Sequence, residues 1–285
     1  MPTLQRLATL NVNILLNMKK LVLLLALSNF GFCYGQNYSL NDFEESPIPK
    51  PGSSDWLALG NATNKEFTFR LDSGLLKISK SIYTSHVEYN LKNGKLIGVD
   101  MGEFGGGLYY KPNDTLQNKI FLNGKDASNI QPRWADGLMV PRSNTIHQVL
   151  KNSLLLQSGH IHFIFSFNDS LYLMGGLAHT ITSDGDIFRI RNKGDSFYIS
   201  HILHLDDAAA AMSIHNDHIY VATSGGFFIL DKKLNKKVIF NTIFWQGLFP
   251  TSIVVIDDKN IYVTFRGGYA KINSLNKEVH FYKAK

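Results

Sequence analysis

Residues 214–226 read IHNDHIYVATSGG, and residues 256–268, forty-two positions on, read IDDKNIYVTFRGG. Each stretch leads into a short apolar run, FFILD at 227–231 and YAKIN at 269–273. Each then reaches the tripeptide Leu-Asn-Lys, at 234–236 and 275–277. An earlier copy reads FNDSLYLMGG at 167–176, and a more distant one reads NGKLIGVD at 93–100 before the glycines of GGGLYY at 105–110. The tyrosines Tyr172, Tyr220 and Tyr262 mark the same point of three copies, 48 and 42 residues apart.

Every run in this repeat has strand length, and helical periodicity is nearly absent; the best helix candidate, 208–212, is too short to build on. In the last copy, strands are expected at 252–256, 260–265, 269–273 and 278–282. Asn-Asp and Asp-Asp make the first turn, Gly-Gly supplies positive φ angles at the second, and Leu-Asn-Lys makes the third. The inner strands are apolar without alternation, as in Ser252–Ile256 (SIVVI), so both of their faces are buried. Tyr220 and Tyr262 are therefore expected to lie between sheets. An all-strand period of 40–50 residues is that of β-propeller blades with four strands each. The length implies five blades, with six as the alternative. Residues 116–160 lack a clear repeat core and are expected to hold an elaborated blade with a long insertion.

The pattern of 167–176, 214–226 and 256–268 resembles the blades of bacterial sensor-type and quinoprotein-like propellers. That resemblance implies an architecture and no particular activity, because propellers host unrelated functions.

Upstream of the repeats the chain changes character. Met18-Lys19-Lys20 is a basic start, Leu21–Phe32 is an apolar run of twelve residues, and Cys33-Tyr34-Gly35 offers small residues at the positions a signal peptidase requires. A bilayer-spanning helix needs about 20 apolar residues. Residues 1–35 are therefore expected to be a cleaved signal with its true start at Met18, which implies a secreted, periplasmic or cell-surface protein with no transmembrane segment in the mature chain. Phe32 before Cys33 disfavours a lipid anchor. Residues 36–54, with Pro47, Pro49 and Pro51, are expected to be an extended polar arm before a propeller over 55–285.

Cys33 is the sole cysteine, so the mature chain has neither a disulfide nor a thiolate nucleophile. Removing Arg6, Lys19 and Lys20, and no acid, lowers the net charge from +6 to +3. No basic cluster points to nucleic acid. His160 and His162 fall on one strand face, whereas His201/His204 and His215/His218, three apart, fall on opposite faces. No metal site or cofactor is expected. Ser224-Gly225-Gly226 is a repeat turn rather than a nucleophile elbow, since Arg266 replaces Ser224 in the next copy.

Turns and connections at one end of the blades form the face expected to bind a ligand. The turns bring Glu103, His179 and Arg266, and the connections bring Asp206, Asp207 and Trp245, with Arg133 and Trp134 from the irregular region. Trp245 and Arg266 are expected to meet as an aromatic plate beside a charged fork, a pairing enriched in binding hot spots. The leading expectation is a non-catalytic binding or scaffold module for a protein, peptide or glycan. The alternative is an enzyme using funnel carboxylates and His179, either a glycan hydrolase or lyase or a quinone-dependent dehydrogenase.

Overall fold

The computed structural model describes residues 38–285 except 82–83, 103–104, 114–119, 127–143, 180–181 and 195. The signal expected over 1–35 lies outside them. The fold is all-β. Strands β1 (Phe43–Ser46), β2 (Phe67–Asp72) and β3 (Leu75–Lys80) precede four antiparallel meanders, and β2 and β3 form a hairpin. The first meander joins β4 (His86–Leu91), β5 (Gly94–Asp100) and β6 (Gly106–Pro112) to β9 (Leu154–Ser158). Between β6 and β9 the chain adds β7 (Phe121–Leu122) and β8 (Lys125–Asp126), which extend the second meander beyond its last strand.

That second meander is β10 (Ile161–Phe167), β11 (Ser170–His179), β12 (Thr182–Lys193) and β13 (Ser196–His204). The third is β14 (Ala209–His215), β15 (His218–Thr223), β16 (Phe227–Leu230) and β17 (Lys236–Phe240). The fourth is β18 (Ser252–Asp257), β19 (Asn260–Phe265), β20 (Gly268–Asn273) and β21 (Glu278–Ala284). These last strands coincide with the sequence expectation to within two residues. The helix candidate at 208–212 is instead the start of β14, where Ala209 is buried in the core shared with the second meander and Ala211 in the core shared with the fourth.

Each core lies between consecutive sheets. Leu96, Leu108, Ile161 and Leu173 join the first meander to the second. Met174, Ile187, Val221 and Phe228 join the second to the third. Phe227, Ile229, Ile253 and Phe265 join the third to the fourth. Phe67, Phe69, Val254 and Tyr269 join the fourth to the β2–β3 hairpin. Burial on both sides explains the unbroken apolar runs, since every residue of β16 is buried. Tyr220 is buried between sheets as expected, whereas Tyr262 is half-buried.

Local chemistry sets the turns. Asn168-Asp169 and Asn216-Asp217 adopt positive φ at both positions, the conformation of a two-residue hairpin turn that these side chains tolerate best. The glycine pairs work differently from the expectation. Gly175 and Gly176 lie inside β11, opposite Asp186 and Gly185, so they are not a turn. At 267–268 only Gly267 needs positive φ, at 81°. Gly268 is required for space, because a Cβ there would stand 2.1 Å from the Tyr282 carbonyl oxygen on β21.

The segment expected as an arm is partly sheet. Phe43 of β1 pairs with Ala284 and buries its ring, so the start of the described chain adds a fifth strand outside β21. Helix α1 (Ser54–Gly60) follows, its first turn capped by the Ser53 hydroxyl accepting from the Trp56 amide at 3.3 Å. Trp56 then donates its indole N–H to the Phe244 carbonyl at 2.8 Å. Helix α2 (Asn144–Leu150) puts Ile146 against Ile97, Val99 and Tyr109 of the first meander. No helix among the described residues is long and apolar enough to cross a membrane.

Candidate functional site

In an antiparallel meander, the second and fourth strands both run toward the same end, so the second strand finishes beside the connection that leaves the fourth. Three polar groupings tie these ends together.

The first centres on Asp207, in the β13–β14 connection. Its carboxylate accepts from the hydroxyl of Ser183 on β12, from the Ser224 hydroxyl at 2.7 Å and from the Gly225 amide at 2.9 Å. Burial opposes its charge, but these donors, with Thr223, outweigh it and hold the Asp207 pKa below the ordinary carboxylate value. Asp207, expected as a ligand group, is thus committed to clamping the second meander to the third.

The second is a junction of three sheets. Asp100, at the end of β5, accepts from His160 Nδ1 at 2.9 Å, and its other oxygen faces His162 Nε2 at 3.2 Å. His162 Nδ1 donates to the Ala209 carbonyl on β14 at 2.5 Å. A carbonyl and a carboxylate only accept, so satisfying both requires His162 to carry two ring protons. Burial works against that charge, yet Asp100 and the Ala209 carbonyl raise the His162 pKa above its ordinary 6.5. Burial likewise works against the Asp100 charge, but both histidines and the Gly102 amide hold its pKa far below the usual range. Asp100, about sixty residues away in the sequence, is thus the shared partner of His160 and His162.

The third grouping lies where β12 begins and β13 ends. Asp186 sits directly opposite His204, and the register shifts between Ile187 and Phe188, leaving Ile202 as an extra residue on β13. This bulge corrects the expectation for His201 and His204. Three apart on a regular strand they would face opposite ways, but here both reach Asp186 Oδ1, at 2.8 and 3.2 Å. His204 Nδ1 also lies 3.4 Å from Asp184 Oδ1. Its Nε2 lies 3.6 Å from Asp206 Oδ1, and the exposed Asp206 is ion-paired with Lys236.

The expected aromatic–guanidinium pair exists with a different aromatic. Trp245 is fully buried, donates its indole N–H to the Thr223 carbonyl at 3.2 Å and is ringed by Phe227, Phe244 and Phe265. It is a core residue and offers no ring to a ligand, because burying so large an apolar surface is worth more than displaying it. Phe249, four residues later, is 55% exposed and lies 4.1 Å from the Arg266 guanidinium carbon. Arg266 is oriented by an ion pair with Glu66 and by donating to the Gly60 carbonyl at 3.4 Å. Phe249 adopts φ of +55°, a left-handed conformation that bulky side chains avoid. Nothing in the sequence marks that strain, although Gly247-Leu248-Phe249-Pro250 adjoins the Trp245 already singled out; within that run Phe249 points outward while Leu248 and Pro250 are buried.

Of the remaining expected ligand residues, Glu103, Arg133 and Trp134 lie outside the described residues, and His179 ends β11 with its side chain outside them. No protein-family model matches the chain, and no curated protein matches it. Among solved structures it is similar to the crystal structure of the tricorn protease, at 13% sequence identity and a TM-score of 0.33. The match covers 73% of this chain and 23% of that one, so the chain spans about a quarter of that protein's length.

Proposed function

We propose that the protein is an exported β-propeller of five blades that acts as a non-catalytic binding module, its ligand a peptide segment or protein surface. Export is supported by the Met18–Gly35 pattern. The propeller reading is supported by four meanders laid down in chain order, with a core between each consecutive pair, and by the β2–β3 hairpin, which stands as a reduced fifth unit against the fourth.

The observation that carries the binding reading is Phe249. A phenylalanine held in the left-handed region and left mostly in water is costly twice over, in backbone strain and in exposed apolar surface. Such a residue earns its place by what it contacts, and the adjoining Arg266 supplies a planar, fixed charge. An exposed aromatic beside an oriented guanidinium is the composition of a protein-binding hot spot.

A phage-displayed random peptide library panned on the purified protein tests this. Enriched peptides are expected to bind Phe249→Ala and Phe249→Gly at least about tenfold more weakly than the parent protein. Peptides that bind both variants as well as the parent, or a library that enriches nothing, would refute the assignment.

A further inference from the structure

We infer that Asp184, Asp186 and His204, at the start of β12 and the end of β13, form a binding site for a transition-metal dication of the zinc type, with His201 and Asp206 supporting it. This goes beyond the peptide-binding reading and does not depend on it.

The donor set is the first argument. One ligand atom from each of Asp184, Asp186 and His204 lies within 4.8 Å of the other two. His204 Nδ1 stands 3.2 Å from Asp186 Oδ1 and 3.4 Å from Asp184 Oδ1. Ligand atoms about 2.1 Å from one tetrahedral ion are separated by about 3.4 Å, so these spacings fit a single coordination sphere. An imidazole beside two carboxylates suits zinc and its neighbours, whereas calcium takes six to eight oxygens.

The backbone supplies the second argument. Asp184 and Asp186 are two apart on β12 and share a face, and His204 is the cross-strand partner of Asp186. The extra residue Ile202 turns His201 onto that face as well, with its Nε2 2.8 Å from Asp186 Oδ1. His201 either fills a fourth position or donates a hydrogen bond that fixes the ligating carboxylate.

The outer contacts are the third argument. His204 Nε2 faces the Asp206 carboxylate, which is itself held by Lys236. A carboxylate behind a histidine fixes the ring's orientation, here with the other nitrogen facing Asp184 and Asp186. Three carboxylates against one lysine also leave a local negative field that a dication neutralises.

Calorimetric titration of the purified protein with zinc chloride, in a buffer that does not chelate, is the test. One site with a dissociation constant of about 10 μM or tighter is expected. Asp186→Asn, which keeps the side-chain shape, is expected to weaken it at least about tenfold, as is His204→Ala, while His201→Ala has a smaller effect. His160→Ala, at the separate three-sheet junction, leaves the affinity unchanged, and millimolar calcium does not compete. Binding weaker than about 1 mM overturns the assignment. So does zinc binding that survives Asp186→Asn, and this variant decides the matter should His204→Ala fail to fold. Displacement of zinc by calcium would equally remove the imidazole's part in the site.

Discussion

Arg266 stacks its guanidinium over the exposed Phe249 ring, 4.1 Å from carbon to centroid, although one residue comes from the β19–β20 turn and the other from the β17–β18 connection. The contact fixes an apolar plate beside a charge, and its backbone cost can be measured without a ligand. Phe249→Ala removes the ring and keeps the left-handed strain, while Phe249→Gly removes both. The glycine variant is therefore expected to be more stable than the alanine variant by about 1 kcal/mol. Urea denaturation of the pair reads this difference; equal midpoints would mean that residue 249 is not held at positive φ.

Trp245 behaves as a keystone of the core between the third and fourth meanders. Trp245→Ala removes a fully buried indole and leaves the Thr223 carbonyl without its donor. A loss of about 3–5 kcal/mol is expected. Lys237→Ala, an exposed change on β17, should stay within about 0.5 kcal/mol. A thermal melt in which the two variants behave alike would contradict the burial of Trp245.

Two glycines separate space from backbone conformation. Gly268→Ala forces a methyl group against the Tyr282 carbonyl, so β20 and β21 must move apart, at an expected cost of about 1–3 kcal/mol. Gly74, in the β2–β3 turn, has φ of +79° and nothing near its missing Cβ, so Gly74→Ala should cost only the backbone strain, about 1 kcal/mol. Hydrogen exchange adds a second reading. The amides along β20–β21 should lose protection in Gly268→Ala, and the Gly74 variant should leave them protected.

What the sequence revealed and what it withheld have separate physical causes. The repeats at 214–226 and 256–268 expose strand positions because turn residues and apolar runs are local signals, and β18–β21 follow them closely. The β1–β21 pairing was hidden because it joins segments more than 230 residues apart. The bulge at Ile202 was hidden for another reason: period two is the only register a sequence displays, and a single extra residue reverses every face beyond it. Asp100 gave no signal because its meaning depends on His160 and His162, which a different sheet delivers to it. Trp245 misled because a tryptophan in a connection looks displayed, while this connection folds inward and presents Phe249 in its place.

The proposed export makes a direct prediction. Protein produced in a bacterial host with a working general secretion pathway should begin at Gln36, or at the pyroglutamate derived from it. N-terminal mass spectrometry reads this, and a mature protein that retains Leu21–Phe32 would count against the signal.

The three-sheet junction makes stability depend on pH in a way that can be assigned to one residue. His162 faces Asp100 from β5, which also holds His160 from the β9–β10 connection, and the Ala209 carbonyl from β14. Its pKa is raised in the folded protein, so the native state binds a proton more tightly than the unfolded chain does. The resulting stabilisation is complete below the ordinary 6.5 and is lost as pH rises from there through the folded value. Asp100 has the opposite sign: its lowered pKa stabilises the fold above the ordinary 3.8, and that contribution is lost as pH falls below it. Between the two limits the ion pair is intact. His162→Gln keeps a donor for the Ala209 carbonyl and removes the titrating ring. The parent protein should lose melting temperature above pH 6.5 more steeply than His162→Gln, with the gap between the two curves closing as the imidazolium is lost. Parallel melting curves from pH 5 to pH 9 would show that His162 does not carry the proton that its two acceptors require.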